Sequence, residues 1–176
     1  AVGEKNATAK EVMDTMMMAK NVGAGEFKDF AQYLPQLIAS GQNMAVSYKD
    51  TAGMFAYMTA KGQTAANAAM LMQNAFTALQ KDPVMKGMAK AGINLFNPDG
   101  SRKNIEKVFL DLHKKLASFT DKQKSKFFVD IGLRDAQAMQ AFSVLTGDAE
   151  KFKRIMGSVN NSEGETGRQL TASENY

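Results

Sequence analysis

Residues 91–104 read AGINLFNPDGSRKN and divide the chain into two helical groups. The apolar residues stop recurring at helical spacing at Gly92 and resume only before Ile105. Between these points, Asn97-Pro98-Asp99-Gly100 predicts a tight turn, because proline presets φ, aspartate bonds the backbone ahead and glycine accepts positive φ. We therefore expect residues 92–104, the hinge loop, to be a turn-rich central connection.

The hinge loop also contains three apolar side chains, those of Ile93, Leu95 and Phe96. Three such residues in one short connection are unlikely to remain in water. We expect all three to be buried against Phe109, Leu112 and the fourth helix. The two helical groups would then share one core.

Outside the hinge loop the sequence favours helix throughout. Alanine and methionine are plentiful, β-branched residues are few, and apolar residues recur at helical spacing. We predict an all-α fold, a compact multi-helix domain of about eight short helices. The breaks are expected where a glycine or a capping residue interrupts the pattern, near Gly23, Gly41, Gly62, Asp82, Gly92, Thr120, Gly132 and Gly147.

Four local features sharpen this prediction. Pro35 removes a backbone donor inside the second helix and should kink or split it, and Gly41 should end that helix. Asp82-Pro83 is typical of an N-cap followed by proline at the first helical position. The fourth helix, from Thr64 to about Gln80, is rich in alanine, and slim faces let neighbours approach closely. We therefore expect the fourth helix to be the central one.

The domain boundaries follow from where the apolar pattern ends. Residues 1–157 should form one helical domain, with the hinge loop inside it. Residues 158–176 are polar, and we expect them to be disordered or to begin a further segment. The first residue is Ala1 instead of methionine, which suggests a processed chain or a piece of a longer one.

Charge and cysteine content restrict the function classes. The net charge is +4, and residues 102–126 contain eight basic and three acidic residues, a local excess of +5. There is no cysteine, hence no disulfide, no thiol nucleophile and no cysteine-ligated zinc. No apolar run in the sequence approaches the length of a membrane span, so no membrane segment is expected.

Two groups of side chains are candidates for a partner-binding surface. The first helix contains four methionines within six residues, more than one core stripe can bury, and methionine suits adaptable binding surfaces. The sixth helix and its approach carry lysines off the apolar stripe. Packing on two sides of the first helix and simple solvation of the lysines are the plainer explanations. The candidate residues are Met13, Met16, Met17, Met18, Lys103, Lys107, Lys114 and Lys115.

Catalytic chemistry has no support in the sequence. His113 is the only histidine and has lysines beside it, so it is expected to be a surface residue. Asp130 and Asp135 bracket a turn, where helix capping explains them more simply than a paired acid–base site. No zinc-protease, nucleophile-elbow, Walker or dinucleotide pattern is present. We expect no enzymatic activity, no cofactor and no metal site.

Several short motifs, in a fixed order, carry a family resemblance. They are residues 59–68 (TAKGQTAANA), 88–93 (MAKAGI), Asp99-Gly100 before a helix near Ile105, 130–136 (DIGLRDA) and 145–148 (LTGD). Between about residues 45 and 166 their order and spacing resemble the core segment of phage tail tape-measure proteins. The 130–136 motif is similar to that family's Ile-Phe-Gly turn, although Ile131 stands where the family has phenylalanine.

The resemblance implies a structural protein of the virion tail of a phage or prophage, assembled in the host cytoplasm. Such a protein is a long helical polypeptide around which the tail tube assembles and whose length sets the length of the tube. The implied partners are tail-tube and tail-assembly proteins, and self-association in the full-length protein is a further expectation. No catalytic residue is implied. A chain of 176 residues is too short for a ruler, so it would be a fragment of a larger tape-measure protein.

Two other classes remain open. A free-standing helical adaptor would use the methionine-rich first helix to bind a partner. A DNA-binding module would use the basic helices, but no aromatic residues are interleaved among the exposed bases, which makes this class the less favoured one.

Overall fold

The computed structural model describes residues 7–161, and within these residues the prediction of a compact all-α fold is confirmed. The described part contains nine helices, one more than the number expected. The helices are α1 (Ala9–Val22), α2 (Phe27–Gln42), α3 (Tyr48–Ala60), α4 (Ala65–Leu79), α5 (Asp82–Lys90), α6 (Ile105–Leu116), α7 (Asp121–Asp130), α8 (Ala136–Gly147) and α9 (Ala149–Asn160).

Helix α3 lies at the centre, surrounded by a ring of other helices. The ring runs in the order α1, α2, α4, α8, α6 and α9, and α9 packs back against α1. Except for Lys49, every residue of α3 from Tyr48 to Thr59 is buried. Edge-to-face ring pairs join neighbouring elements, with centroids 4.9 Å apart for Phe30 and Phe55 and 5.1 Å apart for Tyr57 and Phe152.

The expectation that the fourth helix is central is therefore wrong. Helix α4 buries one face, but polar side chains such as Asn67, Gln73 and Asn74 keep its other face at the surface. Helix α3 has apolar or small residues all round, and its charged residues, Lys49 and Asp50, both lie in its first turn. A helix without a polar face is the one that a domain buries completely.

Three helix ends share one turn geometry, and all three lie in the motifs that carry the family resemblance. Gly62, Gly92 and Gly132 have φ of +96°, +83° and +98°. In each turn the N–H after the glycine bonds the carbonyl five residues back, at 3.1 Å from residue 63 to 58, 2.9 Å from 93 to 88 and 3.1 Å from 133 to 128. This is the Schellman motif, which needs a residue that tolerates positive φ.

The helix starts largely agree with the sequence. Side-chain oxygens of Ser47, Thr64 and Asp148 accept from the backbone N–H three residues on, as expected of N-caps. Thr120 and Gln123 form a capping box. Asn104 caps α6, Asp135 caps α8, and α5 begins at Asp82 with Lys81 before it, so Asp82 is not the N-cap.

Neither expected break occurs in α2. The helix passes through Pro35 without splitting, and it continues through Gly41, the expected end, to Gln42. Pro35 and Ala31 are both exposed, so water can satisfy the carbonyl that the proline leaves unpaired. Gly41 is needed inside the helix, because a Cβ there would lie 2.7 Å from Thr51 Oγ1 on α3.

The hinge loop closes as a short hairpin. Asn97 N–H donates to Ser101 O at 2.7 Å, Gly100 N–H to Asn97 O at 2.9 Å and Lys103 N–H to Leu95 O at 2.9 Å. Arg102 Nη1 donates to Leu79 O at the end of α4, at 3.4 Å. The turn predicted at residues 97–100 is therefore confirmed.

The expected burial of Ile93 and Leu95 is confirmed, but that of Phe96 is wrong, because 43% of Phe96 is exposed. The segment is extended, and extended backbone points successive side chains to opposite faces, so residues 93 and 95 face inward while 94 and 96 face outward. The Phe96 ring lies 5.0 Å below the guanidinium of Arg102, its partner across an isolated antiparallel bridge.

At the other end of the chain, α9 continues beyond the expected end at Gly157. It runs to Asn160 and buries Val159 completely, because Val159 extends the apolar stripe of Phe152, Ile155 and Met156 by one position. The rest of the expected polar tail, residues 162–176, lies outside the described residues.

Candidate interaction surfaces

The four candidate methionines of α1 divide between two environments. Met16 and Met18 pack against the core, on either side of the face that α1 turns toward α3 and α9. Met13 is 39% exposed, and Met17, one helical turn later, is half-buried. The outward part of the cluster is therefore Met13 and Met17, a small apolar surface on α1.

Two of the candidate lysines have an internal partner. Lys103 Nζ lies 3.9 Å from Asp111 Oδ2, and Lys107 Nζ lies 3.5 Å from Asp111 Oδ1. The side chain of Lys107 is 64% exposed, whereas that of Lys103 is only 19% exposed. The carboxylate of Asp111 thus offsets part of the basic charge that the sequence places here.

Lys114 and Lys115 are exposed and lie in the last turn of α6. Cations at this end of a helix interact favourably with its dipole. Of the eight candidate residues, the lysines lie on α6 and its approach, and the methionines lie on α1. The two helices have different principal neighbours apart from α9, so the structure does not gather the eight candidates into one site.

His113 is half-buried, and the expectation of a plain surface residue is wrong. Its Nδ1 lies 2.6 Å from the carbonyl oxygen of Thr146 at the end of α8. A carbonyl only accepts, so Nδ1 carries the hydrogen in this contact. The imidazole links α6 to α8, which gives it a structural role that no local sequence signal indicated.

A groove of about 560 Å³ runs between α6 and the start of α9. Leu110 and Ala149 are the apolar residues of its wall, and side chains of both signs of charge line it. The charged side chains of the groove are those of Glu106, Lys107, Asp111, Lys114, Glu150 and Lys153. Mixed charges suit polar contact with a protein surface, without the uniform positive field that attracts nucleic acid.

Glu106 is the perturbed group of this groove. Burial raises the pKa of its carboxyl above the ordinary 4.5, and the nearby negative charge of Asp50 raises it further. The positive charge of Lys153 acts in the opposite direction and lowers the pKa. The carboxyl thus holds its proton more tightly in the folded protein than in the unfolded chain.

Asp50 joins three helices, and the sequence reasoning missed it. The residue is only 6% exposed, and its oxygens accept from Asn160 Nδ2 at 2.9 Å and from Asn104 Nδ2 at 3.1 Å. Its own N–H donates to Ser47 Oγ at 3.0 Å. Asp50 lies three residues after the cap Ser47, and nothing local in the sequence reveals its partners 54 and 110 residues away.

Between residues 7 and 161 no three His, Cys, Asp or Glu side chains are grouped so that they could hold a metal ion. In the same part of the chain, no helix combines the length and the apolar character needed to cross a bilayer. Burial raises the pKa of the Tyr57 hydroxyl to about 12, and this hydroxyl donates to Val144 O at 2.5 Å.

This fold, a ring of helices around a buried one with polar and apolar outer surfaces, defines a compact all-α protein. Residues 1–132, three quarters of the chain, match the family described as phage-related minor tail protein. The chain belongs to this family and is a phage tail protein. No curated protein and no solved structure matches it.

The family match begins earlier than the resemblance drawn from the sequence motifs. It includes α1 and α2, and it ends at Gly132, within the third of the glycine turns. The phage tail assignment made from the motifs is confirmed. The match does not extend over α8 and α9.

Proposed function

We propose that this chain is a compact section of a phage tail tape-measure protein, which acts in tail assembly and in setting tail length. The observation that carries the proposal is the family match over residues 1–132 together with the ordered turn motifs inside it. The glycine turns at Gly62, Gly92 and Gly132 give those motifs a physical reason, since each needs positive φ.

The packing of the chain limits which part of that role it performs. A ruler has to be extended, and a continuous helix rises about 1.5 Å per residue. Here α3 is buried inside a ring of other helices, so the described residues form a packed unit and not a rod. The unit serves as a folded segment within a longer protein, and the helical stretches elsewhere in that protein span the tube.

The partners of the segment are tail-tube and tail-assembly proteins. Met13 and Met17 offer an apolar contact on α1, and Lys107, Lys114 and Lys115 offer exposed cations on α6. Exposed methionines adapt to a partner's shape, while exposed cations steer association and select a complementary charge. These two surfaces are where contacts with other tail proteins are proposed.

The size of the polypeptide that contains residues 7–161 in purified tails tests the proposal. An antibody raised against the folded 176-residue chain should detect, in denatured tails, a protein much larger than 19.1 kDa. A band at 19.1 kDa in assembled tails would contradict the fragment assignment.

The outward-facing methionines of α1, Met13 and Met17, also favour a second candidate function, that of a free-standing helical adaptor in the tail. An adaptor would occur in tails at its own mass, and exchange of Met13 and Met17 for lysine would prevent its incorporation. The matched control is the same exchange at Ser118 and Ser125, which are exposed elsewhere on the chain.

A further inference from the structure

Three consecutive helices of the ring, α2, α4 and α8, have almost no charge. Among the helices of residues 7–161, α4 and α8 alone contain no Asp, Glu, Lys or Arg, and α2 carries its charges, Lys28 and Asp29, in its first turn. The chain as a whole is 23% charged, so 27 residues in α4 and α8 would ordinarily carry about six charged side chains.

The outer sides of these helices form one continuous surface, which we call the neutral face. Helix α4 packs between α2 and α8, and Asn74 Nδ2 on α4 donates to Gln137 Oε1 on α8 at 3.3 Å. Exposed amides, alanine and methionine make up this face. Its defining exposed residues are Gln32 and Gln36 on α2, Ala66 and Met70 on α4, and Gln137 and Gln140 on α8.

This composition is unusual for a helix surface that faces water. Solvent-exposed faces of amphipathic helices normally carry charged residues. Depletion of charge together with exposed methionine is the pattern of the buried centre of protein interfaces. Met70 is 36% exposed at the middle of the three helices, where an interface would bury it.

The neutral face favours an uncharged partner. A charged side chain pressed against this face would lose water without gaining an ion pair, which is costly. Two copies of this chain, each with net charge +4, repel each other when their basic regions meet. The neutral face is the surface on which such copies can meet without repulsion or buried charge.

From this charge distribution we propose that the neutral face is the contact between two copies of this chain. Glutamine amides both donate and accept, so the amide-rich face is complementary to itself. Ala66 is small enough to let two helices approach closely across the contact. The inference does not depend on the tape-measure role, because it concerns the purified chain alone.

Sedimentation velocity on the purified 176-residue chain, from micromolar to millimolar concentration, tests the proposal. The native chain should dimerise with rising concentration. Added salt should leave the dimer unchanged or strengthen it, since salt screens the repulsion between basic copies. A chain that stays monomeric throughout, or a dimer that salt dissociates, would overturn the proposal.

Charge introduced on the neutral face locates the contact. The double variant Met70→Lys with Gln140→Lys should remain monomeric at concentrations where the native chain is dimeric, because like charges would meet across the contact. The control, Ser118→Lys with Ser125→Lys, adds the same charge on the α6–α7 side and should still dimerise. If both variants lost the ability to dimerise to the same extent, the contact would lie elsewhere and the proposal would be refuted.

A mixing experiment separates a specific contact from general loss of folding. The variant Met70→Glu with Gln140→Glu should also be monomeric alone, but an equimolar mixture with the lysine variant should form mixed dimers. Circular dichroism melts should show that each variant is folded, since both positions are exposed. A mixture of folded variants that stays monomeric would overturn the proposal.

Discussion

At the scale of the residue, the Thr51 hydroxyl is a polar group in an apolar place. Its Oγ1 has no hydrogen-bond partner among residues 7–161, although the atom is fully buried at the contact of α2 and α3. Burying a hydroxyl without a partner costs free energy. Thr51→Val should therefore leave the free energy of unfolding unchanged or raise it, as measured by chemical denaturation.

Thr59 on the same helix is the matched control. Its Oγ1 donates to Ala56 O at 2.8 Å and accepts from the N–H of Ala24 at 3.1 Å. Thr59→Val leaves that N–H without its partner and should cost about 1–3 kcal/mol. Equal destabilisation by the two valine variants would contradict the difference assigned to the two hydroxyls.

Glu106 makes stability depend on pH in a direction opposite to that of most carboxylates. Its pKa is raised in the folded state by burial and by Asp50, so the folded protein binds this proton more tightly than the unfolded chain. Its contribution to stability therefore falls as pH rises from 4.5 through the raised pKa. Glu106→Gln should be more stable than the native protein at neutral pH, and the difference should vanish in acid.

Glu150 in the same groove is the control for this prediction. Both glutamates lie in the first turn of a helix, where a negative charge stabilises the helix through its dipole, but at Glu106 burial and the nearby Asp50 charge oppose this effect. Glu150→Gln should therefore lower stability slightly at neutral pH. Thermal melts across the acid range measure both effects, and a Glu106→Gln variant that is less stable than the native protein at neutral pH would contradict the assignment.

At the scale of the element, Gly87 sets how closely α5 approaches the turn between α7 and α8. A Cβ at Gly87 would lie 2.4 Å from the carbonyl oxygen of Ile131 and 2.6 Å from its Cα. These are backbone atoms, so the two elements would have to move apart. Gly87→Ala should cost about 3 kcal/mol, measured by urea denaturation.

Gly157 provides the opposite case, because it is exposed in α9 and a Cβ there would meet nothing within 4 Å. Gly157→Ala should raise stability by about 0.5–1 kcal/mol, since alanine loses less conformational entropy in a helix. If Gly87→Ala were instead as harmless as Gly157→Ala, the close approach of α5 to Ile131 would be wrong.

The hinge loop gives a further test at this scale. Leu95 is 6% exposed and belongs to the core, whereas the Phe96 ring faces solvent under Arg102. Leu95→Ala should cost about 3 kcal/mol and Phe96→Ala under about 1 kcal/mol, in denaturation midpoints measured together. A larger loss from Phe96→Ala would show that the ring is buried after all.

These elements also show what sequence reasoning reaches. The caps at Thr64, Thr120 and Asp148 were predictable because a cap bonds its own helix three residues on. The contact of Gly87 with Ile131 and the bonds of Asp50 were not, because they depend on how distant elements pack. The apolar character of Phe96 alone predicts burial, but successive side chains of an extended backbone point to opposite faces, and this alternation places the Phe96 ring at the surface.

The candidate surfaces can likewise be predicted from the sequence only where the signal is local, and not where they depend on packing. The sequence indicated that four methionines exceed one core stripe, but which of them face outward depends on the neighbours of α1. The neutral face could be predicted in part from the sequence, since the segments that form α4 and α8 contain no charged residue. That these helices are adjacent is a property of the ring and has no local signal.

At the scale of the whole molecule, one core joins both sides of the hinge loop. Tyr57 of α3 and Phe152 of α9, which lie on opposite sides of the loop, have ring centroids 5.1 Å apart, and α4 before the loop packs against α8 after it. We propose that residues 1–157 form one domain. The packing around α3 is the reason that this segment is a folded unit within the proposed longer tail protein.

Tail length is the measurement that tests the central proposal most directly. In the phage that encodes this chain, in-frame deletions placed outside the segment of residues 7–161, in helical stretches of the proposed longer protein, should shorten the tail in proportion, by about 1.5 Å per residue removed. Electron microscopy of purified particles measures the length. Tails of unchanged length across a series of such deletions would contradict the tape-measure assignment.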